Sequence, residues 1–152
     1  MAAINRRILL LLILRRRLDE RKRKRTPPRF WVRDIYRKRK LLGEFHTLVQ
    51  EAALFDHEYF FKMFRMTPMR LEQLLSCVGP KIQRCNLRRE VIEPGERLCI
   101  TLRYLITGDA FTTIAASYRV GETTVSRIVK STCKAIWDAL LERIHQESKH
   151  NR

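Results

Sequence analysis

A helical repeat of apolar residues, with no alternating pattern anywhere in the chain, is the feature that most constrains its fold. Leu71, Leu74, Leu75 and Val78 recur at the spacing i, i+3, i+4, i+7, which places them on one face of an α-helix. A longer apolar stripe covers residues 125–144, about five helical turns. No stretch alternates apolar and polar residues as a half-buried strand would. We therefore predict an all-α fold, a small helical bundle.

Capping residues divide this pattern into separate helices. Thr67-Pro68 predicts an N-cap followed by proline at the first helical position, and Gly79-Pro80 is expected to end that helix. Glu93-Pro94 is expected to open a further helix, which Gly108 ends. The aromatic side chains within residues 59–64 lie at helical spacing, and we interpret them as part of the core.

The positive charge of this 152-residue chain is concentrated at its N-terminus. The formal net charge is +16, and residues 1–40 hold 16 Lys and Arg against three acids, whereas residues 41–152 hold 16 against 13. We predict a basic N-terminal arm, disordered or helical, over residues 1–40 and a helical domain over residues 41–152. Such an excess of positive charge indicates a polyanionic partner. We expect nucleic acid first and an anionic membrane surface second.

Two segments of the arm are distinctive. Residues 8–14 are seven consecutive apolar residues, too few for a membrane-spanning helix, which needs about 20, and Arg15-Arg16-Arg17 stands where a signal peptide has small residues. We therefore expect a short helix and no membrane partner. The second segment is a basic block, interpreted as a nuclear import signal or a contact to a DNA backbone rather than as a solvated run; it comprises Arg21, Lys22, Arg23, Lys24 and Arg25.

The spacing of the four cysteines is not that of a metal-binding motif. Cys77, Cys85, Cys99 and Cys133 contain no CxxC pair, so a zinc site is not expected. We predict reduced thiols, with Cys99 and Cys133 as small core residues, and no cofactor in this chain.

Residues 114–129 have the spacing of a helix-turn-helix, which we place within about residues 97–144. Ala115 is small because the second helix has to cross it, and Val120 is apolar because it fills the turn. Val125, Ile128 and Val129 recur so as to face back onto the first helix.

The residues between these apolar positions suit the major groove of DNA. Ser and Thr hydroxyls hydrogen-bond to base edges and phosphates. Arg127 can donate two hydrogen bonds to guanine, and Lys130 suits a phosphate. Thr112 and Thr113 are expected to cap the first helix and to offer backbone N–H groups to a phosphate. The predicted DNA-binding residues are Thr112, Thr113, Glu122, Thr123, Thr124, Ser126, Arg127 and Lys130.

The turn departs from the usual pattern. Arg119 occupies a position where glycine is common, and Gly121 occupies one where a serine or threonine cap is common. The alternative interpretation is an ordinary helical hairpin with Thr and Arg on its surface.

An ordered series of motifs runs between residues 60 and 141, over roughly half of the chain. In chain order they are Phe64-Arg65-Met66-Thr67-Pro68 with Leu71, Leu74 and Leu75, then Glu96-Arg97-Leu98, Thr101-Leu102-Arg103-Tyr104-Leu105 and Thr107-Gly108-Asp109, and finally Thr123-Thr124-Val125-Ser126-Arg127-Ile128-Val129 with Ile136-Trp137. This series resembles the N-terminal region of Harbinger-type transposases and the nucleases derived from them.

This resemblance implies a helical region that binds double-stranded DNA, followed in the family by an RNase H-like nuclease domain whose three carboxylates hold two divalent metal ions. The chain ends at Arg152, so we expect a fragment, a truncated gene model or a free-standing DNA-binding protein. Glu90, Glu93 and Glu96 surround a helix start, where carboxylates favour the helix dipole, and no catalytic residue is assigned. A divalent metal is expected only for the catalytic domain.

Two other functions remain open at this point. The chain is either a DNA-binding module, a protein–protein interaction adaptor, or a fragment of a metal-dependent nuclease. The apolar stripe at residues 125–144 is longer than the motif can cover, so it is expected to pack on the helices near residues 68–79 and 97–107, or on a homodimer or helical partner. A nuclear location is expected from the basic block.

Overall fold

The computed structural model describes residues 10–12, 14–17, 32–84 and 90–150, with side chains described as far as Arg143. The chain divides into two compact units, Met1–Arg33 and Asp34–Arg152. In the first unit, residues 10–12 and 14–17 are helical. The second unit contains the hydrophobic core.

Helices build the second unit, and its described residues contain no β-strand. This confirms the all-α prediction. In chain order the elements are α1 (Asp34–Arg37), α2 (Arg39–Leu42), a π-helical segment (Phe45–Val49), α3 (Gln50–Phe55), α4 (His57–Phe64), α5 (Pro68–Ile82), α6 (Pro94–Thr107), α7 (Phe111–Tyr118) and α8 (Glu122–His150).

Helix α5 begins as predicted but ends later. The Thr67 side chain accepts a hydrogen bond from the Arg70 N–H, and Pro68 is the first helical residue. The prediction that Gly79-Pro80 ends the helix is wrong, because α5 continues to Ile82 with Pro80 inside it. A helical proline costs about 3 kcal/mol, but the further turn buries Ile82 beside Val78 against α8, and a buried aliphatic side chain contributes about 1.5–3 kcal/mol.

Helix α6 lies at the centre of the unit. Pro94 is its first residue, and Gly108 ends it in the left-handed conformation with φ 66°, as predicted. Leu98, Cys99 and Ile100 are fully buried. Because α6 packs against α4, α5, α7 and α8, the positions of these helices depend on it.

The aromatic residues of α4 divide between core and surface. Phe60 and Phe64 are fully buried with their ring centroids 4.9 Å apart, so the core interpretation is confirmed for these two. Tyr59 and Phe61 are exposed, because each lies about 100° around the helix from Phe60, on either side of the buried face.

A buried ion pair joins α2 to the start of α6. Arg39 is only 4% exposed and Glu96 only 1%, and the Arg39 guanidinium donates a hydrogen bond to the Glu96 carboxylate. The same guanidinium donates to the Val91 carbonyl oxygen at 3.1 Å, and Lys40 lies 3.1 Å from Glu90. Arg39 is therefore a structural residue of the second unit, although the sequence places it at the end of a basic segment.

Ionisation of the Glu96 carboxyl costs free energy in the folded protein. Burial raises the pKa of Glu96 to about 7, and the Arg39 guanidinium, which favours the ionised carboxylate, offsets only part of this rise. One carboxyl oxygen, Oε1, is buried with no hydrogen-bond partner among the described residues, and so is the nearby His46 Nε2. The desolvation of Glu96 is therefore only partly compensated.

The free energy of unfolding should fall as the pH rises from about 4.5 to 7. In this range the folded protein keeps a proton on Glu96 that the unfolded chain, with a carboxyl pKa near 4.5, has already released. Raising the pH therefore favours the unfolded chain, by up to about 3 kcal/mol in total. Urea unfolding across this range should show the slope, and Glu96→Gln should remove it.

The exposed neighbour Glu93 provides the control. Glu93→Gln should keep the wild-type slope. If Glu96→Gln keeps it too, a different group is responsible for the pH dependence.

Candidate nucleic-acid interface

Helices α7 and α8 are joined by the three residues Arg119, Val120 and Gly121. Val120 is buried, and its N–H donates to the Ala115 carbonyl oxygen at 3.0 Å. The Gly121 carbonyl oxygen accepts from the N–H groups of Thr124 and Val125 at 2.8 and 3.0 Å, which starts α8. The connection is therefore a tight turn with its apolar residue inside, as the sequence predicted.

Arg119 adopts the left-handed conformation, with φ 52° and ψ 48°. This explains why glycine is common at this position, since a residue with a Cβ pays about 1–2 kcal/mol to adopt it. The Arg119 Nε donates to the Leu42 carbonyl oxygen at 3.1 Å. The bond gives Arg119 a contact that glycine could not make.

The crossing of α7 and α8 is packed by small and branched apolar side chains. Ile114 and Ala115 of α7 are buried in one cluster with Val125, Ile128 and Val129 of α8. All five lie inward, as predicted. This packing fixes which side of α8 faces solvent.

The predicted contact residues of α8 lie on its outer side. Thr123, Arg127 and Lys130 follow the spacing i, i+4, i+7 and therefore form one stripe along the helix, and Glu122 precedes them. These four are exposed, whereas Thr124 and Ser126 are half-buried. Within the described part of the chain, neither Arg127 nor Lys130 takes part in an ion pair, so both cations can meet an anion without losing a partner.

The expectation that Thr112 and Thr113 cap α7 is wrong. The helix begins at Phe111, and its N-cap is Ala110, which makes no side-chain hydrogen bond. Thr112 and Thr113 are the second and third helical residues, because the extended backbone of Ala110 lets the helix begin at Phe111. Both threonines are exposed, beside the first turn of the helix.

Contacts near both ends of α7 were not found by the sequence analysis, and those made by Glu44 are long-range. At the N-terminal end, the Arg103 guanidinium lies 3.5 Å from Asp109 and 3.7 Å from Glu44. At the C-terminal end, the Glu44 N–H donates to the Ser117 carbonyl oxygen at 3.1 Å. No local pattern marks these pairs, since the partners of Glu44 are 59 and 73 positions away in the sequence.

The remaining candidates are placed as follows. The basic block of Arg21, Lys22, Arg23, Lys24 and Arg25 lies outside the described residues. Among the described residues no three His, Cys, Asp or Glu side chains are grouped so as to hold a metal ion.

Cys99 is a buried free thiol, as predicted, and burial raises its pKa to about 12. Cys133 is only half-buried. No helix in the described segments is both long and apolar enough to cross a bilayer.

Comparisons with known proteins found no match to this chain. No family model matches it, and no curated protein or solved structure matches it either. The resemblance to Harbinger-type transposases therefore stands on the sequence motifs alone.

Two aspartate substitutions two residues apart should separate packing from surface effects. Val125 is fully buried at the helix crossing, so Val125→Asp places an uncompensated charge in the core and should destabilise the protein by more than about 3 kcal/mol. Thr123→Asp adds the same charge at the exposed second residue of α8, where the helix dipole favours it. This variant should keep the wild-type melting temperature, measured by circular dichroism. Equal melting of both variants would contradict the packing.

Proposed function

We propose that the second unit is a DNA-binding module of a Harbinger transposase-derived protein, and that α7, the turn and α8 act as its helix-turn-helix. One observation carries this proposal. The exposed stripe of Thr123, Arg127 and Lys130 lies directly behind the buried crossing of α7 and α8, so a rigid core presents hydrogen-bonding and cationic groups on one helix.

The chemistry of this stripe fits a duplex. The major groove is about 12 Å wide and admits one α-helix. Arg127 lies about one turn and a half from the start of α8, where its guanidinium can reach the acceptors of guanine. Lys130 lies a turn further on, where a phosphate is the nearer group. No cofactor is part of this interaction.

The distribution of charge supports the same partner. Residues 1–33 hold 12 Lys and Arg against two acids, and residues 34–152 hold 20 against 14. Phosphate contacts give affinity without sequence information. We therefore assign sequence reading to α8 and most of the non-specific affinity to residues 1–33.

Arg127→Ala should weaken binding to the preferred duplex by about 1–3 kcal/mol and binding to random duplex much less, because it removes a contact to a base. Lys130→Ala should weaken binding to both duplexes equally and reduce the salt slope by about one, because it removes a contact to a phosphate. The preferred duplex comes from selection out of a random pool, and affinities are measured by fluorescence anisotropy at several salt concentrations.

Circular dichroism provides the control, since both residues are exposed and neither variant should lose helicity. If Arg127→Ala lowers specific and random binding by the same factor, Arg127 does not read sequence. The protein would then be a basic DNA-coating protein.

Deletion of residues 1–33 should weaken binding to random duplex strongly and flatten its salt dependence, since each lost phosphate contact changes the slope by about 0.9. The deletion ends at Arg33 because Arg39 and Lys40 are tied to the body by ion pairs. The anisotropy titrations measure the slope. An unchanged slope would mean that the arm does not touch DNA.

We also propose that the protein acts in the nucleus, with residues 21–25 as the import signal. The support is the run of five consecutive Lys and Arg residues together with a DNA-reading surface in the same chain. A large fluorescent fusion with these five residues changed to Ala tests the import role, because small proteins diffuse through the pores.

The exposed apolar side chains near the end of α8 favour a second candidate function, protein–protein adaptation or homodimerisation. One face of α8 packs on α5 and α6, but on the rest of the helix Trp137 is 65% exposed, and Leu140 and Leu141 are also exposed. They are spaced three and four residues apart, as in a helix–helix contact. Sedimentation mass with and without DNA separates this candidate from a monomeric DNA-binding module.

A further inference from the structure

We infer that Arg37 and Lys38 form a second contact to the phosphate backbone of the duplex that α8 reads, held in register by the bonds between residues 42–44 and the end of α7. The inference rests on the proposed function, because it names a second contact to the same DNA. It concerns the body of the protein and not the arm of residues 1–33.

The attachment to the turn is close and specific. The Arg119 Nε donates to the Leu42 carbonyl oxygen at 3.1 Å, and the Glu44 N–H donates to the Ser117 carbonyl oxygen at 3.1 Å. A Cβ at Gly43 would lie 3.3 Å from the Tyr118 carbonyl oxygen and 2.5 Å from that of Arg39. Only glycine allows this approach, so the end of α2 lies directly against the turn that leads into α8.

The other side of the same segment is fixed to α6. Arg39 is buried against Glu96 and the Val91 carbonyl oxygen, and Lys40 pairs with Glu90 at 3.1 Å. Because α2 is attached at the turn and at the start of α6, the residues that precede it cannot move freely relative to α8.

Two cations are left facing solvent on this fixed segment. Lys38 is exposed and has no ion-pair partner among the described residues. Arg37 lies 3.6 Å from Asp34, but both side chains are more than half exposed, and such a pair contributes only about 0–1 kcal/mol. A phosphate can therefore replace Asp34 as the partner of Arg37 at little cost.

The distances suit the strand that borders the major groove. With a helical rise of 1.5 Å per residue, Lys38 lies roughly 6 Å along the chain axis from Leu42, and Leu42 is bonded to the turn three residues before Glu122. The groove is about 12 Å wide, and we place a phosphate of the strand that borders it beside these two cations, near the start of α8.

The test compares salt slopes of binding to the selected duplex for three variants. Arg37→Ala/Lys38→Ala should reduce the slope by about two, close to 0.9 for each lost phosphate. Lys62→Ala/Arg70→Ala removes the same charge from exposed positions on α4 and α5 and should leave the slope within about half a unit of wild type. Gly43→Ala displaces the segment without changing any charge, and it should reduce the slope as much as the first pair, with no further loss when the two are combined.

The outcomes distinguish this inference from the function it rests on. An equal loss of slope from both charge pairs would show that only net charge matters and would overturn the inference. If Gly43→Ala keeps both the salt slope and the helicity of the wild type, the claim that residues 42–44 hold the two cations in position relative to α8 is overturned. If Arg127→Ala loses specificity while Arg37→Ala/Lys38→Ala changes nothing, the second contact is wrong and the proposed function stands. If the wild-type protein binds no duplex, both fall.

Discussion

The contact between Arg39 and Glu96 is the interaction on which the arrangement of the second unit depends. It brings a residue from the end of the basic N-terminal segment into the core, beside the first turn of α6, and α6 is the helix that packs against α4, α5, α7 and α8. A buried pair of this kind is costly to break from one side, by about 3–5 kcal/mol, because the remaining charge stays without a partner. Helix α2, at the end of the basic N-terminal segment, is therefore part of the fold.

Local chemistry explains why much of the fold could be predicted from the sequence. Thr67-Pro68 and Pro94 start helices because capping and the fixed φ of proline act within one turn. Gly108 ends α6 for the same kind of reason, since a left-handed residue suits glycine. The inward positions of Ala115, Val120 and Val125 followed from helical periodicity, which also predicts the exposed side of α8.

The remaining features depend on partners that are distant in the sequence. Nothing near Pro80 shows that the helix continues, because its continuation depends on packing against α8. In the sequence Arg39 looks like its basic neighbours, because the partner that buries it, Glu96, is 57 residues away. The bond from Arg119 to Leu42 spans 77 residues. In each case tertiary packing outweighs a local preference, and periodicity contains no information about it.

The length of α8 has a consequence for anything attached to its far end. The helix has 29 residues, so it spans roughly 43 Å at 1.5 Å per residue, whereas one turn of B-form DNA rises about 34–36 Å. Other helices of the chain pack against one face of α8 as far as Ala139. This packing keeps the helix rigid over that length. A subunit bound around Trp137 and beyond would be kept apart from Thr123 by a distance that the core, and not a flexible linker, determines.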